Sequence, residues 1–434
     1  MRIAVVGTGI TGNVAAYKLA KEHDITVFEA DNRIGGHTNT VDVEVQGKHH
    51  AVDTGFIVYN PVTYPNFIAL LDELGVASQD SEMSFSVQDE VSGLEYNGAN
   101  LNTLFAQRRN LLRPSFYRMI KDILRFNREA PALLDSERSI SLGEYLKENQ
   151  YCQPFLEHYI IPMGAAIWSA DPGLTGAMPA RFFIRFFVNH CLLSVNGRPT
   201  WRVIKGGSNR YLDKLVAGHW RHIHLNSPVE WIKRFDDHVE IKVPANEPQR
   251  FDQVFLACHS DQALKLLADP SPQEQAVLEA IHYQENHAVL HTDARLMPNH
   301  RLAWAAWNYH ITRNTGRLAA LTYNMNILQT LNAPVNFCVT LNHADAIDEA
   351  KVIDEFTYAH PVFTKQAVAA QLRQAEINGP RRTYYCGAYW RYGFHEDGVI
   401  SALNAIEHFQ QRIIYEEQNL SRPGAAPAAI AQTA

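Results

Sequence analysis

Ile3-Ala4-Val5-Val6-Gly7-Thr8-Gly9-Ile10-Thr11-Gly12 opens the chain, and its reading decides the fold. The apolar run Ile3 to Val6 has the composition of a strand buried on both faces of a parallel sheet. A G-x-G-x-x-G spacing follows at once, and Ala15, Ala16, Leu19 and Ala20 then recur at helical spacing. Strand, glycine turn and helix in that order read as the first unit of a dinucleotide-binding fold. Gly7 serves the tight turn, Gly9 admits a pyrophosphate close to the backbone, and Gly12 lets helix and strand pack closely. The helix start at Ile10 and Thr11 offers free N–H groups and a positive dipole end to the phosphates. A second strand, Ile25 to Phe28, ends in Glu29 and Ala30, about 20 residues beyond the glycines, where a carboxylate accepts both hydroxyls of an adenosine ribose. The same negative charge would repel a 2′-phosphate, which argues against NADP.

The residues after the acid separate FAD from NAD. Glu29-Ala30-Asp31-Asn32-Arg33-Ile34-Gly35-Gly36-His37-Thr38 carries a second glycine pair where a plain NAD dehydrogenase continues into its next helix. Glycines there permit another close approach of backbone to ligand, and Arg33 can bring positive charge to a diphosphate. Val41 to Val45 alternates as a half-buried strand, Gln46-Gly47-Lys48 is a turn, and Asp53-Thr54-Gly55-Phe56 follows. These segments resemble the FAD-binding N-terminus of flavin-containing amine oxidases and phytoene-desaturase-like enzymes. Val52 to Asn60, together with Gly393-Phe394-His395-Glu396-Asp397-Gly398, is similar to a bacterial branch of FAD-dependent oxidoreductases within that superfamily.

The resemblance implies noncovalent FAD, held by Gly7, Gly9, Ile10, Thr11, Gly12, Glu29, Ala30, Arg33, Gly35, Gly36, His37, Thr38, Gly55 and Phe56. Residues and resemblance together give an α/β chain, in which a Rossmann-like FAD-binding domain of the glutathione-reductase type is interrupted by a mixed α+β substrate or cap domain. The FAD domain is expected at 1–60, 198–265 and 380–418, the cap at 61–197 and 266–379, and a disordered tail at 419–434.

A second island starts at Trp201-Arg-Val-Ile-Lys205-Gly206-Gly207-Ser208 and leads into a helix-like stretch to Ala217. Strand-like runs follow at Ile223 to Leu225, Val229 to Ile232 and Val239 to Val243. The resemblance places Val229 beside the adenine, and Phe251 to Cys258 reads as a buried strand returning to the core. Gly206-Gly207-Ser208 is not a nucleophile elbow, because Arg210 stands where the second glycine of G-x-S-x-G is needed. The third island, Tyr384 to Gly387 and then Tyr392 to Gly398, reads as strand, glycine-rich turn and helix start. A helix N-terminus there would stabilise negative charge at the pyrimidine end of a reduced flavin. The resemblance brings Gly387, Glu396, Asp397 and Gly398 to the cofactor and Phe394 to an aromatic position over the flavin. Two departures weaken an amine substrate: Phe394 replaces the tyrosine of many amine oxidases, and His395 is followed by two acids. Cys386 is outside the tethering motif of covalent flavoproteins, so the FAD is expected to be noncovalent. Lys265 aligns loosely with a lysine near flavin N5, and a surface helix lysine is the better reading.

Composition bounds the remaining choices. The 434 residues, 46% hydrophobic and 20% charged, carry a net charge of −7, so no basic field gathers nucleic acid. Five scattered cysteines without a C-x-x-C pair suit a reducing, cytoplasmic compartment. No run approaches the roughly 18 apolar residues of a membrane span. His219, His222 and His224 read as the outer face of a half-buried strand and not as metal ligands, and no metal is expected. Residues 61–197 read as largely helical, and 266–379 as helix mixed with strands such as Ala288 to His291 and Val335 to Thr340. The run Arg108 to Arg118 is basic with interleaved apolar residues: a solvated helix face, or a surface that contacts a membrane peripherally or receives an acyl chain. Trp304, Trp307 and Tyr309 form an aromatic cluster, either core or pocket lining.

The expected activity is hydride transfer between a C–H of an apolar small-molecule substrate, an amine or an unsaturated or acyl-type compound, and flavin N5. His395 is the candidate acid or base, since imidazole titrates near neutrality, with a purely structural role as the alternative. A non-catalytic FAD-binding partner of another, lipid-modifying enzyme and an NAD-dependent dehydrogenase are the competing readings.

Overall fold

The first strand, Arg2–Val6, lies at the centre of a five-stranded parallel sheet, which is why Ile3, Ala4, Val5 and Val6 are all buried. The computed structural model describes residues 1–420 apart from 195, 196, 198 and 314–317. The sheet runs in the order Ile223–His224, Asp24–Phe28, Arg2–Val6, Gln253–Leu256, Thr383–Tyr385, with Val5 opposite Val27 on one side and Phe255 on the other. Side chains alternate across it. Ile3 and Val5 pack with Val14 and Ala15 of the Ile10–Leu19 helix and with Ala402 and Phe409 of the last helix, His395–Leu420. Ala4 and Val6 pack on the opposite face with Ile232, Ile241 and Val277. That face is covered by the antiparallel strands Trp231–Arg234, Val239–Lys242 and Gln249–Phe251 and by the Pro272–Leu278 helix. The fully buried Arg234 side chain joins them, donating to Glu274 at 2.7 Å and to Asp269 at 2.7 Å.

The second layer is a seven-stranded sheet ordered Val352–Val362, His282–His291, Cys338–Leu341, Ala320–Asn324, Trp307–Ile311, Phe85–Asp89, Leu94–Asn97. Helices Pro114–Glu129, Leu142–Glu148, Ile161–Trp168 and Ala180–Asn189 contribute to an aromatic core that also takes in Val87, Tyr309 and Leu321 of this sheet. Strands from both interruptions of the parallel sheet, Phe85–Asp89 with Leu94–Asn97 and the five between His282 and Val362, therefore share one sheet. The first interruption supplies three strands, Ser78–Ser81, Phe85–Asp89 and Leu94–Asn97, in addition to its helices. Ser78–Ser81 and Val58–Tyr59 both pair with Trp201–Ile204, so a small sheet crosses the boundary expected at residue 60. Its polar Ser-Gln-Asp-Ser text has no apolar alternation by which to recognise it.

Two smaller expectations change, at the histidine strand and the tail, while Lys265 is the surface helix lysine that the sequence favours. The strand around the 219–224 histidines is only Ile223–His224, and His219 is buried while His222 and His224 are exposed. The last helix extends to Leu420, two residues into the expected tail, and 421–434 lie outside the described residues. Lys265 is an exposed lysine on the Ser260–Leu266 helix, 3.5 Å from Asp261. Among the described residues no helix is long and apolar enough to cross a membrane, and no group of three or more His, Cys, Asp or Glu could hold a metal.

Candidate functional site

The glycine turn has the geometry that its spacing demands. Gly7 sits at φ +101°, donates its N–H to the Phe28 carbonyl at 2.8 Å, and leaves no room for a Cβ, which would lie 2.9 Å from the Ala257 oxygen. A Cβ at Gly12 would lie 1.9 Å from the Gly7 oxygen, so this helix can approach the turn only with glycine there. Gly9 differs: a Cβ there would meet nothing within 4 Å. Gly36, at φ +57°, packs directly against it, since its own Cβ would come 3.2 Å from the Gly9 Cα. Two bare backbones in contact thus leave the space beside Gly9 open at the N-terminus of the Ile10–Leu19 helix, where the N–H groups of Ile10, Thr11 and Gly12 lack intrahelical partners. A diphosphate fits this cradle by charge and by the absence of side chains.

Glu29 closes one end. Its Oε2 accepts the Thr8 N–H at 2.8 Å and the Thr8 hydroxyl, and its Oε1 accepts the Asp31 N–H at 3.0 Å. The carboxylate therefore stands at the tip of the second strand beside the turn. The exposed Ala30 follows it, and the half-buried Val229 packs near Phe28. Arg33 donates to the carbonyls of Gly36 (2.8 Å) and Thr38 (3.2 Å), so its guanidinium shapes the second glycine loop as well as charging it. Gly35 is pinned by its N–H to the Thr8 carbonyl at 3.0 Å. A Cβ at Gly55 would lie 2.1 Å from the His37 oxygen, and Phe56 donates its N–H to that same oxygen at 2.8 Å.

The last helix arrives at the same place. A Cβ on Gly398 would lie 2.7 Å from Ile10 and 2.8 Å from Thr11, so the positive ends of the first and last helices converge. The acids at its start are turned inward. Glu396 accepts from Asn66 N–H at 3.0 Å and Phe67 N–H at 2.8 Å, capping the Pro65–Glu73 helix. Asp397 accepts from Phe394 N–H at 3.0 Å and Tyr392 N–H at 3.2 Å and pairs with Arg391, while burial pushes its carboxyl up to about 6. Both carboxylates thus accept backbone N–H groups, which tie the start of the last helix to Asn66 and Phe67 and to the turn at Tyr392 and Phe394. Gly387 donates its N–H to the Ser401 hydroxyl at 2.9 Å. Cys386 is fully buried against the Leu256 carbonyl, with its thiol pushed up by burial, so no thiolate is available for a tether.

His395 stacks on Phe56 with ring centroids 3.5 Å apart, and its Nε2 bonds the Thr38 hydroxyl at 3.0 Å and the Tyr211 hydroxyl at 3.1 Å. Burial lowers it to about 3, so it is neutral at pH 7 and ties three parts of the cofactor domain together. This is the geometry of a positioning histidine. Phe394, one residue earlier, faces the other way: it stacks on Phe186 at 5.3 Å, beside Phe182, Phe363 and Trp168 of the cap and Tyr392 of its own segment.

Three histidines, His190, His259 and His360, escaped the sequence reading, and two of them join His37. His37 lies 5.2 Å from His360 and 6.3 Å from His259, with Tyr358 at 5.0 Å, where the second glycine loop meets the cap sheet. Burial and mutual repulsion hold His37 well below the ordinary imidazole range, and burial lowers His360 to about 4. His190 stacks on Phe186 at 3.8 Å and is lowered by burial to about 4. His259 and His360 come from segments about 100 residues apart, and no spacing rule joins them. For His190 the available signal was the phenylalanine-rich Arg181-Phe-Phe-Ile-Arg-Phe-Phe187 helix before it.

A two-glycine cradle between converging helix ends, with an acid at the second strand and an aromatic wall opposite, defines a Rossmann-like flavoprotein with a substrate domain. Comparison with known proteins agrees. A model of the family "flavin containing amine oxidoreductase" matches residues 10–310, and the chain belongs to this family. It is an oxidoreductase whose cofactor is FAD, held noncovalently. Protoporphyrinogen oxidase 2 of Arabidopsis thaliana is 26% identical over 182 residues, which is 39% of this chain and only 33% of that protein. Cyclohexylamine oxidase from Brevibacterium oxydans superposes with a TM-score of 0.69 at 14% identity, over 95% of this chain and 99% of that one. The CLA-producing fatty acid isomerase of P. acnes gives 0.67 at 16% identity, over 94% and 98%. At these identities the two structures show the shared fold.

Proposed function

We propose that the chain transfers a hydride between a C–H bond of an apolar substrate and flavin N5, with unsaturated or acyl-type compounds ahead of amines. The observation that carries this reading is the wall around Phe394. Phe186, Phe182, Phe363, Tyr392 and Trp168 form it with neutral His190, and the neighbouring carboxylate, Asp397, is already paired with Arg391 and the Tyr392 and Phe394 N–H groups and so is not open to an ammonium group. Apolar walls with few polar groups favour apolar ligands. The names of the relatives, a protoporphyrinogen oxidase and a fatty acid isomerase, support such a substrate class. The antiparallel sheet Trp231–Phe251, packed on one face of the parallel sheet, supports assigning the cofactor domain to the glutathione-reductase type.

FAD supplies the two-electron acceptor or donor for this transfer. The chain's own work is to hold and to exclude. The Ile10 and Thr11 N–H groups and the open space beside Gly9 hold the diphosphate, Glu29 the ribose, and Phe394 with the aromatic wall orients the reacting C–H and keeps water out. Neutral His395 keeps Thr38 and Tyr211 in register beneath it. Anaerobic titration of the yellow holoprotein tests the reading: unsaturated fatty acids, porphyrinogens, polyenes, cyclic amines and polyamines are added in turn while the visible flavin band is followed. Bleaching by an unsaturated or acyl-type compound is expected. Bleaching by polyamines alone would overturn the substrate class, and no bleaching by any compound would favour a non-catalytic FAD binder.

A further inference from the structure

We propose that the face formed by residues 101–129 and the neighbouring loop tips docks on an anionic lipid bilayer. The claim rests on charge and exposure together. The whole chain carries −7, yet 101–129 holds seven Arg and Lys against Asp122 and Glu129. Arg113, Arg118 and Lys121 have no carboxylate partner among the described residues, whereas Arg125 pairs with Asp122 and Arg128 with Glu129. Large apolar side chains stand exposed among them: Leu112 is 88% exposed, Leu101 76% and Val91 71%, with Leu111, Tyr117 and Leu302 close to half.

These residues share one side of the cap. The Leu101–Leu104 helix packs on Leu94–Asn97 and on Arg301–Ala303, Arg109 donates to the Gly93 carbonyl in the turn that carries Val91, and Tyr117 donates its hydroxyl to the Leu111 carbonyl at 3.0 Å. An adjoining recess of about 790 Å³ has Arg108, Arg109 and Arg313 in its wall together with Asp89, Glu90 and Glu95, so the net positive charge of this face lies on residues 113–121 and not in the recess. Exposed leucines, a half-exposed tyrosine and these basic side chains on one face match the apolar, interfacial and headgroup layers of a membrane surface. A nucleic acid would not require exposed leucines.

The test is flotation of the FAD-loaded protein with vesicles of phosphatidylcholine alone or mixed with phosphatidylglycerol. Binding to the mixed vesicles only, weakened by salt, is expected. The triple variant Arg113→Ser/Arg118→Ser/Lys121→Ser is expected to bind about fivefold less per charge removed, about 100-fold in total. Leu111→Ser/Leu112→Ser is expected to lose binding at every salt concentration. Both variants should keep the flavin band and melting temperature of the parent, since all five side chains lie away from the cofactor. No binding to either vesicle, equal binding to both, or a leucine-dependent dimer in place of vesicle binding would each overturn the proposal.

Discussion

Replacing Gly9 and Gly12 by alanine separates the space a ligand needs from the space the fold needs. At Gly9 the backbone has φ −61°, which alanine adopts freely, and the new Cβ meets nothing within 4 Å. The apoprotein should therefore be unharmed, or gain about 0.4–1 kcal/mol from a less flexible unfolded chain. FAD should suffer, because that Cβ fills the open space at the helix N-terminus where the free N–H groups would meet the diphosphate. With free FAD at about 100 times the parent Kd, binding stabilises the parent by about 2.7 kcal/mol. An unfolding entropy of roughly 2.1 cal/mol/K per residue over 434 residues is about 0.9 kcal/mol/K. The parent should then melt about 3 °C higher with FAD than without, provided the chain unfolds as one unit, and Gly9→Ala should lose most of that increment. Gly12→Ala should instead lower the melting temperature of the apoprotein itself, since its Cβ would lie 1.9 Å from a backbone oxygen and overpacking costs about 1–3 kcal/mol or more. Differential scanning fluorimetry with and without FAD, and flavin content by absorbance, read both effects. A Gly9→Ala protein that melts and binds FAD like the parent would refute the placement of the diphosphate.

Two further outcomes concern the buried titratable groups. Asp53 and Asp397 are raised by burial to about 6, so the folded chain holds their protons more tightly than the unfolded one. Their contribution is full below about pH 4 and is lost as pH rises to about 6, roughly 3 kcal/mol for each. Asp397→Asn should therefore gain stability relative to the parent between pH 4 and 7 in urea melts of the apoprotein, and a constant difference would count against the burial argument. His395, lowered to about 3, acts in the opposite direction: its contribution is present above about pH 6.5 and is lost as pH falls. His395→Gln should cost about 1–3 kcal/mol and reduce flavin retention, since it removes a ring stack and hydrogen bonds, while leaving the shape of the kcat–pH profile intact. Loss of one limb of that profile at unchanged stability would make His395 the acid or base.

The opening residues determined the cofactor domain by themselves. Gly7, Gly12 and Glu29 act through local backbone geometry, a tight turn, a close helix and a strand tip, and such requirements are written into neighbouring residues. The strand at Phe255 and the last βα unit were legible for the same reason, as buried apolar runs before a turn. Tertiary structure decided what long-range contacts decide. Glu396 and Asp397 lie where a resemblance places cofactor ligands, but only the folded chain shows Asn66, Phe67, Phe394 and Tyr392 presenting N–H groups to them. His37, His259 and His360 become neighbours, and Ser78–Ser81 becomes a strand, only when segments more than 100 residues apart are brought together. The neutral state of His395 follows likewise from burial against Phe56, a property of packing that no local spacing encodes.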